Sequence, residues 1–134
     1  MTSPETAYLI ARVLTCGIWI AAGLYKVTHF NHTVDEMSGH GIPLAKLSLL
    51  VVIVMELVGS LLLFIDSYVW AVSLAWIAFM IPASWLYHGR YMVKEGTINF
   101  VQWVLFWKNV SIAGGLIALI LLDASRPAWL VALS

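Results

Sequence analysis

Three charged residues, Arg12, Glu56 and Lys108, fall inside long apolar stretches of the sequence. A charge at mid-bilayer costs about 2.5–3.5 kcal/mol on insertion scales, so such a residue is expected to face the interior of a helix bundle and to have a partner there. A buried carboxylate of this kind can carry a proton or polarise a ligand. We therefore expect Glu56 to bond to Arg12, Lys108 or both, with Asn109 nearby. The alternative is an ion network that only fixes the order and rotation of the helices.

Helical spacing indicates which neighbours share a face with each charge. The expected inward stripes are Arg12, Cys16, Trp19, Gly23 and Lys26 on the first helix; Val52, Glu56, Ser60 and Leu63, flanked by Gly59, on the second; and Val104, Lys108, Ser111 and Gly115 on the fourth. Small residues beside a charge allow close helix approach in lipid. Counted at about 1.5 Å per residue, the three charges fall within one or two turns of the same depth. The sequence therefore predicts one intramembrane charge network.

A second group of polar and aromatic residues is expected at or beyond the helix ends, on the side of the polar loops. It comprises His29, His32, His40 and His88, with Tyr25, Tyr87, Tyr91, Asp35, Glu36 and Asn99. Such a group could bind a metal, or hydrogen-bond a quinone carbonyl while aromatic side chains wall the ring. No two of these histidines have the i, i+4 spacing of a helical metal motif, so we assign no metal site. The candidate ring or headgroup site is Lys26, His88 and Asn99, and solvated or interfacial histidines are the alternative.

Transmembrane helices are the elements that must position these residues. Of the 134 residues, 62% are hydrophobic and 10% are charged, and the mean hydropathy is +0.93. A helix crosses about 30 Å of hydrocarbon with about 20 mostly apolar residues. Four such stretches fit the chain, at about residues 7–25, 44–65, 68–88 and 100–122, with a polar loop at 26–43. We therefore predict an all-α integral membrane four-helix bundle in which residues 1–134 form a single transmembrane domain.

Composition and motifs exclude several classes of function. The net charge is zero, so the chain has no basic face for nucleic acid. The single cysteine, Cys16, excludes an intrachain disulfide and a Cys-rich zinc site. Dinucleotide, nucleotide-triphosphate and hydrolase motifs are absent from the sequence. We assign no catalytic residue, expect no independent enzymatic activity, and expect the partners to be the lipid bilayer and other membrane subunits or further copies of the chain.

Four spans place both termini on one side of the membrane and the two polar loops on the other. The loop side carries Lys26, Lys46, Arg90 and Lys94, whereas the terminal side carries Arg126. The positive-inside rule then predicts cytoplasmic loops, unless Lys26 and Lys46 belong to a site. The segment before the first span lacks a basic n-region, so we expect a retained helix instead of a cleaved leader.

The order of several short motifs resembles the DoxX family of small four-helix membrane proteins. The matching pieces are Arg12 in the first helix, A-A-G-L-Y-K at 21–26, G-I-P at 41–43, M-E-L-V-G at 55–59, N-F at 99–100 and K-N-V-S-I-A-G-G-L at 108–116. The resemblance covers about residues 12–122. It implies a bundle linked to quinone or thiol redox systems, sometimes as an oxidoreductase subunit, in a bacterial inner membrane. It marks Arg12, Lys26, Glu56, Lys108 and Asn109, but not the loop histidines.

Three functions are compatible with these patterns. The first is an auxiliary subunit of a membrane oxidoreductase, in which a quinone enters between helices toward Lys26, His88 and Asn99 and a proton path touches Glu56. The second is a non-enzymatic scaffold or assembly subunit of a larger membrane complex. The third is a small proton-coupled carrier, which would need at least a dimer to enclose a pathway and lacks paired broken helices.

Overall fold

The computed structural model describes residues 3–124, and these residues are almost entirely helical. The elements are α1 (Pro4–Thr28), α2 (Phe30–Gly39), α3 (Ala45–Phe64), α4 (Val69–Tyr87), a 3-10 turn (Gly89–Tyr91), β1 (Val93–Lys94), β2 (Thr97–Ile98) and α5 (Phe100–Ala124). The two short strands pair as an antiparallel hairpin. Helices α1, α3, α4 and α5 are long and apolar enough to cross a membrane. The prediction of an all-α membrane bundle with four spans is therefore confirmed.

The segment predicted as a polar loop is largely helical. Helix α1 continues through Lys26 to Thr28, and α2 follows after one residue. Thr33 and Met37, one turn apart on α2, are both buried, while the rest of α2 is exposed or half-buried. The segment is too polar to span a bilayer, but two inward residues at i, i+4 are enough to seat a short helix across the end of a bundle. This narrow buried stripe could not be recognised from the composition of the segment alone.

The described bundle is built from two antiparallel helix pairs, α1 with α3 and α4 with α5. The indole of Trp19 on α1 stacks on that of Trp76 on α4 with ring centroids 4.3 Å apart, and this contact joins the two pairs. The core also contains the fully buried Leu63 and Leu116. Because lipid is as apolar as these side chains, close packing and polar contacts hold the helices together.

Close approach of α1 to α3 depends on Gly23. A Cβ atom at this position would lie 2.6 Å from Cδ2 and 2.8 Å from Cγ of Leu57, and 3.5 Å from Cβ of Glu56. A larger residue would push α3 away from α1 at the depth of the buried carboxylate. The sequence motif that contains Gly23 therefore also sets the helix separation beside Glu56.

The first and last spans meet at the end of the bundle opposite α2. The hydroxyl of Tyr8 on α1 donates hydrogen bonds to Asp66, in the α3–α4 turn, and to Asp123 near the end of α5, each at 3.4 Å. The N-terminal end of α1 and the C-terminal end of α5 therefore lie on the same side of the bundle. Arg126, used above as a topology signal, lies outside the described residues.

Candidate functional site

A cavity of about 560 Å³ lies toward the α2 end of the bundle. Its wall is mostly apolar and receives residues from all five helices. The polar and ionisable residues that line it are Tyr25, Lys26, Thr33, Glu36, Ser48, Tyr87, His88 and Asn109. Pockets with apolar walls and a few convergent polar groups are the usual form of small-molecule sites. The cavity is therefore the candidate site of this protein.

The ion pair between Lys26 and Glu56 stands at the wall of this cavity. Nζ of Lys26 donates to Oε1 and Oε2 of Glu56 at 2.8 and 3.0 Å. The Glu56 side chain is 2% exposed and that of Lys26 is 22% exposed, so the pair links the buried interior with the cavity. The predicted pairing of Glu56 with Arg12 or Lys108 is wrong, because the ammonium that reaches Glu56 comes from the loop-side end of α1.

Arg12 is buried as predicted, but at the other end of the bundle. Its Nη1 donates to the carbonyl oxygens of Leu63 and Phe64 at 3.0 and 3.2 Å, and lies 3.7 Å from a carboxylate oxygen of Asp66. These carbonyls are among the last of α3, which have no partner within the helix. Fourteen residues, or about 21 Å of helix, separate Arg12 from Lys26. Arg12 therefore caps α3 and does not belong to a network with Glu56.

The inward stripes predicted for the first two long spans are confirmed, and the stripe predicted for the last span is wrong. Arg12, Cys16, Trp19 and Gly23 are buried, with Lys26 half-buried, and so are Val52, Glu56, Gly59, Ser60 and Leu63. In contrast, Val104, Lys108, Ser111 and Gly115 are all exposed on the outer face of α5. The side chain of Lys108 makes no hydrogen bond or ion pair with any residue between positions 3 and 124. The helix is turned so that Asn109, and not Lys108, faces the bundle.

Two side-chain hydrogen bonds to α5, one from α4 and one from His88 at its C-terminal cap, explain this rotation. Nδ2 of Asn109 donates to Oγ of Ser84 at 3.0 Å, and Nδ1 of His88 is 2.7 Å from Oε1 of Gln102. Gln102 and Asn109 are seven residues apart and thus share a face. Gln102 was not identified from the sequence, although a polar pair at this spacing in an apolar helix was the available signal.

Of the three residues of the predicted ring site, two line the cavity and the third does not. Lys26 and His88 both line the cavity. Asn99 does not line it, because its Oδ1 accepts a hydrogen bond from the backbone N–H of Gln102 at 3.3 Å and so caps the start of α5. Asn109 occupies the cavity wall instead. The candidate site is therefore Lys26 with its partner Glu56, together with His88 and Asn109.

The remaining loop-side histidines lie around the cavity and do not form a shared site. The ring of His40 stacks on that of Tyr87 with centroids 4.1 Å apart, and the ring of His29 stacks on that of Tyr25 at 4.2 Å. His32 is exposed on α2. Over residues 3–124, no three His, Cys, Asp or Glu side chains form a group that could hold a metal ion. The stacked histidines thus pack against the tyrosine rings that form the aromatic wall of the cavity.

Comparison with known proteins places this architecture in a family. The model of the DoxX family matches residues 7–89. The chain is 30% identical over 111 residues to inner membrane protein YphA of Escherichia coli K12, covering 83% of this chain and 79% of that protein. It is also 30% identical over 115 residues to inner membrane protein YqjF of the same organism, covering 86% and 82%. No solved structure matches. With its four apolar spans, the chain is a multi-pass inner membrane protein that belongs to the DoxX family.

Proposed function

We propose that this protein is an auxiliary subunit of a quinone-linked membrane oxidoreductase and that its cavity binds the quinone ring. The observation that carries the proposal is the mostly apolar 560 Å³ cavity with the Lys26–Glu56 pair at its wall. A cavity of this size suits a single substituted ring. Aromatic side chains such as Tyr25 and Tyr87 supply flat surfaces against which a ring can pack.

The charge of the cavity favours a neutral ligand. The ammonium of Lys26 is matched by the carboxylate of Glu56 at 2.8 Å, and Glu36 adds a further negative charge to the lining. An anionic ligand such as a sulfur oxyanion would enter without a free cation to balance it. A quinone is neutral and lipophilic, and it can reach the cavity from the bilayer. Glu56 is then the carboxylate that can take up a proton passed from the ring by way of Lys26.

A second candidate function, that of an assembly subunit, is favoured by the outer face of α5. Lys108 lies there on a span that has the least buried surface of the four. A lipid-exposed cation in a membrane helix is expected to find an opposite charge. Of the acidic residues in the described chain, Glu56 is buried and the others lie outside the spans or near their ends. The occupant we propose for this face is a transmembrane helix of another subunit that carries a carboxylate at the same depth.

Ligand binding by the purified protein tests the leading proposal. A short-chain benzoquinone, added in its oxidised or its reduced form, should quench tryptophan fluorescence and raise the thermal midpoint in detergent. The variants Lys26→Met and Glu56→Gln should weaken this effect. Lys108→Met is the matched control, because it removes a lysine that lies outside the cavity, and it should leave binding unchanged.

Two results would count against the proposal. If neither form of the benzoquinone binds, the quinone-linked function fails. If the three variants lower binding equally, the cavity is not the binding site. In an isolated complex, loss of assembly on Lys108→Leu, combined with unchanged turnover on Glu56→Gln, would favour the assembly subunit instead.

A further inference from the structure

A groove of about 390 Å³ lies between α3 and α4, on the outer surface of the bundle. Its lining includes Met55, Gly59 and Leu62 on α3 and Val72, Ala75 and Trp76 on α4. The groove faces the bilayer, because Val54 and Val58 at its side are both exposed on a membrane-spanning helix. It follows α3 for about 12 Å, and its wall is apolar except for the hydroxyl of Tyr68 at the end farthest from α2. A groove of this length and volume suits an extended hydrocarbon chain.

The groove and the ring cavity lie on the same faces of α3 and α4. On α3, one face consists of Ser48 and Val52 in the cavity, followed by Met55, Gly59 and Leu62 in the groove. On α4, Phe79 lines the cavity, and Trp76 and Val72, one and two turns away, line the groove. Nε1 of Trp76 donates to the carbonyl oxygen of Met55 at 3.2 Å, so the two faces run side by side. The groove therefore begins within one turn of the cavity.

Pro82 lies where the cavity meets the outer surface of the bundle. It lines the cavity, yet it is exposed on α4. It lies inside the helix, and helices bend at such a residue because proline lacks an N–H and clashes with the preceding turn. The neighbouring wall residues Val52 and Phe79 are apolar, whereas the ammonium of Lys26 and the amide of Asn109 come from α1 and α5. A ring held by these polar groups would direct an apolar substituent toward the gap between α3 and α4.

We propose that the groove holds the prenyl tail of the quinone whose ring lies in the cavity, and that the tail leaves the cavity beside Pro82. This inference rests on the function proposed above. A bound ring brings its own tail to the groove, whereas the acyl chain of a separate lipid has to be recruited. In the groove the tail gains van der Waals contacts with the packed side chains of α3 and α4. The ring then lies toward the polar end of the bundle and the tail toward the bilayer centre, which is the orientation of an amphiphile in a membrane.

Photolabelling of the full chain tests this assignment. The probes are benzoquinones with a prenyl tail of about three units, long enough to enter the groove, that carry a diazirine in the first or the last unit. In vesicles of palmitoyl-oleoyl phosphatidylcholine, the first-unit probe should label the protein close to Pro82. The last-unit probe should label residues 54–62 and 68–76. An excess of short-chain benzoquinone should remove most of this labelling, because it displaces the ring.

The other outcomes separate this inference from the proposed function. Groove labelling that survives the competitor means that bilayer chains fill the groove, and it overturns the assignment. Labelling that the competitor removes, but that lies on α1, α2 or α5, overturns the groove and leaves the proposed function standing. Absence of competed labelling has the same meaning if the short-chain benzoquinone still binds. If the short-chain benzoquinone does not bind either, both proposals fail.

Two alanine substitutions on α4 provide a second test. Ala75 lines the groove, whereas Ala78 lines neither the groove nor the cavity, and both are exposed. The measured quantity is the ratio of the affinities for the tailed and the short-chain benzoquinone, each expressed per mole of lipid, because a disturbance of the ring site cancels in this ratio. Ala75→Phe fills the groove and should lower the ratio several-fold, while Ala78→Phe should keep it at the wild-type value. Equal ratios in the two variants overturn the proposal.

Discussion

At the scale of single residues, the role of a charged side chain is decided by the position of its partner and not by the presence of the charge alone. Arg12, Glu56 and Lys108 were all identified from their apolar surroundings, and the stripe that joins Arg12 to Lys26 was found by helical spacing. Their partners could not be assigned, because a sequence gives the depth of a charge only to within a turn or two. A lysine reaches several ångströms along its own helix. This reach is what brings Lys26 from the end of α1 to Glu56.

The Lys26–Glu56 pair leads to a stability prediction. Lys26→Met leaves an unpaired carboxylate in the interior and should destabilise the protein by about 3 kcal/mol, the lower end of the range for a buried pair, because Lys26 is partly exposed. The double variant Lys26→Met/Glu56→Gln should recover most of this loss, since no uncompensated charge remains. Unfolding in mixed detergent micelles measures both. Additive effects of the two substitutions would mean that the pair does not couple.

Arg12 should affect stability and leave ligand binding unchanged. Arg12→Lys keeps a cation but loses the guanidinium, whose Nη1 donates to two carbonyl oxygens of α3 and approaches Asp66. We expect a loss of about 1–3 kcal/mol in the same unfolding assay. The affinity for a benzoquinone should not change, because the cavity lies at the far end of α1. A shift in affinity comparable to that of Lys26→Met would contradict this separation of the two sites.

At the scale of elements, the long helices could be predicted from the sequence. The face that each helix turns toward the bundle could be predicted for only some of them. The bounds of α3 differ from the expected 44–65 by one residue at each end. The rotation of α5 was predicted wrongly, because Lys108 and Asn109 are adjacent and the charged residue, not the amide, was expected to face the bundle interior. The hydrogen bond of Asn109 to Ser84 stabilises this rotation of α5, and it leaves Lys108 on the outer face, where the charge needs a partner from another chain. Helix α2 was missed because its two buried residues lie in a polar segment.

The contact between α1 and α3 can be tested with paired glycine substitutions. Gly23→Ala places a Cβ 2.8 Å from Cγ of Leu57 and should cost about 1–3 kcal/mol by overpacking. It should also weaken ring binding, because the Lys26–Glu56 contact spans the same gap. Gly17→Ala is the matched control on the same helix, since nothing lies within 4 Å of its added Cβ. The control should be neutral or more stable by up to about 1 kcal/mol through helix propensity. Equal effects of the two substitutions would exclude close packing at Gly23.

At the scale of the whole molecule, the two ends of the bundle have separate roles. The end that contains Arg12, Tyr8 and Asp66 holds three spans together through hydrogen bonds. The opposite end is covered by α2 and contains the cavity. This division could not be predicted from the sequence, because it depends on which cation meets which carboxylate. The four-span architecture could be predicted, because it follows from length and hydropathy alone.

The orientation of the molecule in the membrane yields a final prediction. Lys26 is bound to Glu56 and so is not a free topology signal, but Lys46, Arg90 and Lys94 remain on the cavity side, and the positive-inside rule places that side in the cytoplasm. Single cysteines introduced as Ser38→Cys and Glu95→Cys should therefore react with a membrane-impermeant maleimide in inverted vesicles and not in intact cells, while Ser3→Cys should show the reverse. The unmodified protein is the control, because its one cysteine, Cys16, is 2% exposed and should stay unlabelled. Labelling of Ser38→Cys and Glu95→Cys from opposite sides would contradict the four-span arrangement. Labelling of both only from outside would preserve that arrangement and show that the cavity opens toward the cell exterior, so that a proton at Glu56 would exchange with the external side of the membrane.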